Sequence, residues 1–349
     1  MLQMPNPLRH QFASDNTAAI CPEAWSAMAE ANRESVSSYG EDPWTRQVSE
    51  RIREIFETDC ETFILFNGTA ANSLALAQLC RPFEGVLCHE RAHIETDECG
   101  APEFFSGGAK LLLVGGSNGK IDLDDAAAVL SRYQDVHSTR PRALSITQAT
   151  ERGTVYSPDE LEKIAEFARN HSLSLQMDGA RFANAVASLG CKPKEISWQR
   201  GVDVLTFGGT KNGLGAGDLV IFFRNNLARQ FDYRFKQGGQ LASKMRFLAA
   251  PWVGLLANEV WLKNARHAND MARLLEEKLR AAGLAQFAFP REANALFVHL
   301  PNEIAARLRA HGWQFLKFIE PDVHRLMCSW STTESEIDEF VTDFRRARA

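Results

Sequence analysis

Phe207-Gly208-Gly209-Thr210-Lys211-Asn212-Gly213 follows directly on the apolar run Val202-Asp203-Val204-Leu205-Thr206. A lysine at the end of a buried strand, among glycines and a threonine, is a poor place for a solvated surface charge. Upstream, a second apolar run, Leu173-Ser174-Leu175-Gln176-Met177, ends in Asp178-Gly179-Ala180-Arg181. One strand end offers a carboxylate and a later one an amine. That pair suits pyridoxal phosphate, whose aldehyde condenses with a lysine as a Schiff base and whose pyridine nitrogen is kept protonated by an acid. The competing reading is a structural ion pair between two strand ends, and the two residues alone do not separate the readings.

The pattern around these strand ends is that of an α/β protein. Short apolar runs at 63–66, 86–88, 111–114, 143–147, 173–177, 202–207 and 219–223 alternate with longer helical stretches such as Thr69 to Cys80. That alternation argues for a mostly parallel sheet covered by helices. Ser157-Pro158-Asp159-Glu160 reads as a capping box with proline at the first helical position, which predicts a helix to about Arg169. Residues 254–280 read as one long helix closed by Gly283. Beyond it, alternating strands and helices end in a helix over 334–348. The expected division is a large cofactor-binding domain over residues 1–250, N-terminal segment included. The long connecting helix and a small C-terminal α+β domain follow over 251–349. No Pro/Gly-rich linker separates the two parts, so they are expected to pack tightly.

The 349 residues are 45% hydrophobic and 24% charged, ordinary values for a globular protein large enough for about two domains. A net charge of −5 gives no support for nucleic-acid or anionic-membrane binding. No window has 18 uninterrupted apolar residues, and Met1 to Pro7 lacks a basic region followed by an apolar stretch. A cytoplasmic protein without a signal peptide is the expectation. Seven cysteines at irregular spacing, without a C-x-x-C pair, argue for free thiols. Cys88, His89, His93 and Cys99 match no standard zinc spacing, and no metal is expected.

Three further stretches bear on chemistry. Asn67-Gly68-Thr69-Ala70-Ala71-Asn72 lies between a strand and a helix. Its small residues let backbone N–H groups and the helix dipole meet a phosphate, although Thr69 could equally be a plain N-cap. His93 follows a strand and has a ring able to stack on a pyridine and a nitrogen able to move protons near neutral pH. Arg181 and Arg325 would suit an α-carboxylate if they converged. A local salt bridge is the alternative for each, and the favoured one for Arg325 taken alone.

Read in order, Phe12-Ala13-Ser14-Asp15-Asn16, Tyr39-Gly40-Glu41-Asp42, Asn67 to Asn72, Ala92-His93-Ile94-Glu95, Asp178-Gly179-Ala180-Arg181 and Gly208 to Gly213 resemble the low-specificity L-threonine aldolases. The resemblance runs from Phe12 to the final helix. It implies the fold type I architecture of pyridoxal-phosphate enzymes and a homotetramer built from dimers, with active sites at subunit boundaries. It implies cleavage of L-threonine, L-allo-threonine and related β-hydroxy-α-amino acids to glycine and an aldehyde. The alternatives on the same scaffold are a β-eliminating lyase or an aminotransferase.

By position, the resemblance implies that Lys211 carries the cofactor, Asp178 pairs with its pyridine nitrogen and His93 stacks on its ring. Gly68 and Thr69 bind its phosphate, and Lys236 reaches the phosphate of a neighbouring subunit. Ser14, Arg181 and Arg325 hold the cofactor hydroxyl or substrate carboxylate. One departure stands out: in Gln148-Ala149-Thr150-Glu151-Arg152-Gly153, Glu151 occupies the place of a second pocket histidine. The general base is therefore open: His93, or a water it orients, is the first candidate, with Asp97 and His137 as secondary ones.

Overall fold

The computed structural model describes residues 10–348; the N-terminal residues that bear on the absence of a leader lie outside them. Its large sheet has seven strands, in the spatial order Glu61–Leu65, Asp218–Phe222, Val204–Gly208, Ser174–Gly179, Arg140–Thr147, Glu84–His89 and Lys110–Val114. Every neighbouring pair is parallel except the two made by Asp218–Phe222, which runs against both its neighbours. The chain length explains the reversal. Residues 209–217 alone join Gly208 to Asp218, too few for the crossover of a dozen or more residues that a parallel neighbour requires. The central strands are buried along their whole length, as expected of a sheet covered on both faces.

The capping box at Ser157 is formed: its hydroxyl accepts from the Glu160 N–H, the Glu160 carboxylate accepts from the Ser157 N–H, and the helix runs Pro158–Asn170. The long helix predicted over 254–280 is broken. One helix spans Arg246–Leu256, a 3-10 turn covers Ala257–Glu259, and a second helix runs Val260–Ala281. Asn258 and Glu259 both adopt left-handed backbone, with φ of 50° and 57°. That helix serves two cores. Val260, Trp261, Leu262 and Ala265 pack in the core of the large sheet, whereas Met271, Ala272, Leu275 and Leu279 pack in a second core.

The second core lies beneath a four-stranded antiparallel sheet in the order Leu316–Ile319, Val323–Met327, Ala295–His299, Gln286–Phe287. The N-terminal segment, assigned to the large domain from sequence, joins this smaller core instead. Phe12 stacks on Trp313 at 5.6 Å and meets Phe340 edge-on at 5.2 Å. His10–Gln11 pairs with Trp313–Gln314, and the Met327 N–H donates to the Phe12 carbonyl. Burying one large aromatic among others contributes more than any contact the polar segment could make alone. The consequence is functional: residues 13–16 are stretched between the small core and the ends of the large sheet.

Among the described residues, no helix is long and apolar enough to cross a membrane. All seven cysteines are free.

Candidate active site

The carboxyl ends of the parallel strands bring His93, Glu151, Asp178 and Lys211 to one edge of the sheet. Open α/β sheets bind ligands at that edge. Lys211 sits in the 3-10 turn Thr210–Asn212, directly beyond the strand Val204–Gly208. Two anchors fix this turn. On one side the Asp218 carboxylate accepts from the N–H groups of Gly209, at 2.8 Å, and Thr210, at 3.2 Å. On the other, Asn212 donates to the Trp261 carbonyl at 2.7 Å and Asn264 donates to the Asn212 carbonyl at 2.9 Å. Glycine is required at 209, where a Cβ would lie 2.5 Å from the Trp252 ring and 2.6 Å from a Leu214 methyl.

The Lys211 amine makes no ion pair with Asp178 within 4.0 Å and no hydrogen bond to any described residue. The structural ion pair weighed from sequence is therefore absent. Burial, and then the nearby Arg181 guanidinium, hold this amine below its ordinary range, opposed by Asp15, Asp178 and Asp218. A half-buried, unpaired amine with a lowered pKa loses its proton more readily than an exposed lysine, and carbonyl condensation uses the unprotonated amine.

Asp178 is buried and its carboxylate is held from two sides. One oxygen accepts from the Ala180 N–H at 2.9 Å, the other from Asn72 Nδ2 at 2.8 Å. The same Asn72 amide donates to Glu98 Oε1 at 2.9 Å, and its oxygen accepts from Gln176 at 3.2 Å. Glu98 in turn accepts from His93 Nδ1 at 2.8 Å. That bond is the main reason the His93 ring is more basic than usual, while burial makes Glu98 a weaker acid. Asn72 and Glu98 are both buried; the motif reading included Asn72 without giving it a role and passed over Glu98. Asn72 showed one signal, a polar residue on the buried face of an Ala/Leu helix. Asp97, the neighbour singled out from sequence, is exposed and accepts only from Thr96 Oγ1, at 3.2 Å. His137 is also exposed.

At the start of the helix Gly68–Leu79, the N-cap is Asn67, whose side chain accepts from the Ala70 N–H at 2.9 Å; Thr69 is not the cap. The N–H groups of Gly68 and Thr69, in the first turn, are among those a helix leaves without internal partners. They and the positive end of the helix dipole form an anion cradle.

The local salt bridge, the alternative weighed for each arginine, is formed by Arg181 and not by Arg325. Arg181 is committed to a local salt bridge, its Nε and Nη2 gripping the Asp15 carboxylate at 2.7 and 2.9 Å. Arg325 makes no salt bridge. One of its amino groups donates to the Ala13 carbonyl at 3.0 Å, and its buried Nε has no partner. Burial, and then repulsion from Arg181, push Arg325 down to about 10. Ser14 lies between the two, accepting from the Asn16 N–H at 3.2 Å. Lys236 stands apart from the cluster, exposed on the helix Phe231–Gln237 with its amine 4.7 Å from the Tyr39 ring centroid.

Comparison with known proteins agrees with this geometry. The family of beta-eliminating lyases matches residues 11–303. The low specificity L-threonine aldolase of Pseudomonas aeruginosa is 55% identical over 335 residues, spanning 96% of this chain and 97% of that one. The chain belongs to the low-specificity L-threonine aldolases, within the beta-eliminating lyase family. The Escherichia coli K12 aldolase is more distant, at 31% identity over 77% of this chain and 78% of its own. A threonine aldolase structure from Leishmania major superposes with a TM-score of 0.92 at 29% identity, over 98% of this chain and all of that one. The architecture is therefore α/β of fold type I.

Proposed function

We propose that the protein cleaves L-threonine, L-allo-threonine and related β-hydroxy-α-amino acids to glycine and an aldehyde, using pyridoxal phosphate held at Lys211. The observation that carries this reading is the set of unmet demands around one point. Lys211 offers an unpaired amine, Arg325 an unpartnered buried Nε, and Gly68 and Thr69 offer free N–H groups. Each demand is answered by a different part of a cofactor-bound amino acid.

The residues present fit the cofactor. Lys211 would hold its aldehyde carbon, Asp178 its pyridine nitrogen, and the N–H groups of Gly68 and Thr69 its phosphate. His93, whose side chain is 36% exposed while its Nδ1 is held by Glu98, has a ring face free to stack. When bound, pyridoxal phosphate supplies an electron sink for the pair released when a bond at the α-carbon breaks. This chain's residues do the rest. Arg325, with the remaining amino group of Arg181 and with Ser14, would fix the substrate carboxylate. A fixed carboxylate would orient the substrate and so select which α-carbon bond breaks. The Asn72–Asp178 bond holds the Asp178 carboxylate in place, where it would meet the pyridine nitrogen already oriented.

We further propose that the working form is a homotetramer in the cytoplasm, with Lys236 serving a neighbouring site. The exposed Tyr39, Phe66, Phe104 and Tyr233 support burial against other copies. The test is the visible absorbance of the purified protein, then aldehyde release from both diastereomers, with Lys211→Ala alongside. A coloured protein that releases acetaldehyde, both properties being lost in Lys211→Ala, is the expected result. Pyruvate or a keto acid in place of aldehyde would turn the reading to β-elimination or transamination. A protein that stays colourless with added pyridoxal phosphate would overturn the cofactor assignment.

A further inference from the structure

One half-buried acid in this site, with a carboxylate oxygen shut off from solvent, is not used by anything described so far. Glu151 follows the strand Arg140–Thr147, which lies between the strands that deliver His93 and Asp178. Its Oε1 is fully engaged, accepting from the His93 N–H at 2.9 Å and from Thr147 Oγ1 at 2.8 Å. Thr147 is the register partner of Asp178 on the adjacent strand. The carboxylate is thus pinned by one oxygen between the segments that carry His93 and Asp178, the two residues that would hold the cofactor's ring. Its other oxygen, Oε2, is shut off from solvent and has no hydrogen-bond partner. A buried carboxylate oxygen left bare is costly, and sites tolerate one where a ligand supplies the missing donor.

Resting on the aldolase reading above, we propose that Glu151 Oε2 is the group that takes the proton from the substrate's β-hydroxyl. The step balances without any further reactant. The hydroxyl O–H breaks and its proton passes to Oε2. The freed electron pair forms the aldehyde C=O, while the Cα–Cβ bond breaks and leaves its pair at the α-carbon. The other candidate acceptor is less suited. His93 has its Nδ1 tied to the Glu98 carboxylate, a bond that raises its pKa, and its ring is the one expected to stack on the cofactor.

Surroundings tune Glu151 for the task. Burial above all, and also repulsion from Asp178, make it a weaker acid than an exposed glutamate; its own backbone N–H, then the His93 N–H and the Thr147 hydroxyl, work the other way. Arg181, Arg152, Tyr156 and Cys88 are the other ionisable groups that feel its charge. A base whose pKa lies closer to the operating pH returns its proton more easily in the next half of the cycle.

The deciding experiment uses Glu151→Gln, whose amide oxygen can keep both Oε1 bonds while an NH2 group replaces Oε2. Threonine cleavage is measured beside exchange of the glycine α-hydrogen with solvent deuterium, which involves no hydroxyl proton. The variant is expected to keep its visible absorbance and to exchange glycine within about threefold of wild type. It should lose roughly 10²–10⁴-fold in cleavage, the usual contribution of a general base. Glu151→Asp retains a carboxylate and should recover part of the cleavage rate; it also serves if the glutamine variant does not fold. Cleavage by Glu151→Gln within threefold of wild type would overturn the proposal. So would equal loss of cleavage and glycine exchange, which would mark a general role in binding. A wild-type protein that exchanges glycine but releases no aldehyde would instead overturn the aldolase reading itself.

Discussion

Removing the Asp15 carboxylate should destabilise the protein far more than an ordinary surface charge change. In the native state Asp15 and Arg181 form a two-pronged ion pair at 2.7 and 2.9 Å, with side chains 1% and 13% exposed. Burial works against both charges, yet each partner holds the other ionised: Asp15 stays below the usual carboxylate range and Arg181 above the usual guanidinium range. Asp15→Ala leaves the guanidinium buried, facing Lys211 and Arg325, and leaves the Asn294 amide without one of its two acceptors. Breaking a buried pair from one side costs about 3–5 kcal/mol. With an unfolding entropy of roughly 2.1 cal/mol/K per residue, the 349 residues give ~0.73 kcal/mol/K, so each kcal/mol moves Tm by about 1.4 °C. The expected loss is therefore ~4–7 °C at neutral pH, read by thermal unfolding of the cofactor-free protein.

Two controls separate this account from simple loss of packing. Asp15→Ala/Arg181→Met removes both charges and should cost less than the two single changes added together, because no lone buried charge remains. The pH dependence has a definite sign. The folded-state pKa of Asp15 lies below the ordinary 3.8, so the pair's contribution is complete above that pH and fades as the pH falls through the folded value. The gap between wild type and Asp15→Ala should be constant through the neutral range and close in acid. Strict additivity of the double variant, or a gap unchanged from pH 7 to below 3.8, would refute the reasoning.

Three other outcomes are expected. Glu98→Gln removes the largest influence raising the His93 pKa, so the His93 ring should titrate at lower pH; its Hε1 resonance in NMR spectra reports this, and an unmoved or raised midpoint would contradict the assigned dyad. Gly209→Ala places a Cβ 2.5 Å from Trp252 and 2.8 Å from the Gly217 carbonyl. Overpacking of this kind costs about 1–3 kcal/mol and must shift the turn carrying Lys211. The variant should bind pyridoxal phosphate more weakly in an absorbance titration, and wild-type affinity would show that the turn tolerates the methyl. Ser157→Ala removes one arm of a capping box far along the chain from Lys211, and should cost ~1 kcal/mol, or about 1.4 °C, with no change in the absorbance titration.

Where residue type and chain neighbourhood carry the signal together, the sequence suffices. Asp178 and Lys211 each end an apolar run, and a charge in that position is informative before any contact is known. The same holds for the capping box at Ser157, where every participant lies within four residues. The broken helix is the opposite case. Ala257, Asn258 and Glu259 include neither proline nor glycine, and two successive left-handed residues there have no signature in residue type. Tertiary packing imposes the break, since the segments on its two sides are drawn into place by different neighbours.

The partners of the site residues were hidden for a related reason. Asp15 meets Arg181 across 166 positions and Asn294 across 279, while Asn72 meets Asp178 across 106. Asp97 and Glu98 are the sharpest instance. They are adjacent acids in one loop, with nothing in their chemistry to rank them. The short helix His93–Thr96 ends at Asp97, and the chain there turns one carboxylate to water and the next into the core. Burial converts Glu98 from a solvated charge into the partner that sets the basicity of His93. The same conversion applies to Glu151. As a letter in the sequence it marks only a missing histidine. Folded, it is a carboxylate with one oxygen tied down and the other bare. Its residue type permits proton transfer, but it is the unequal treatment of its two oxygens, a property of the fold, that gives the transfer a direction.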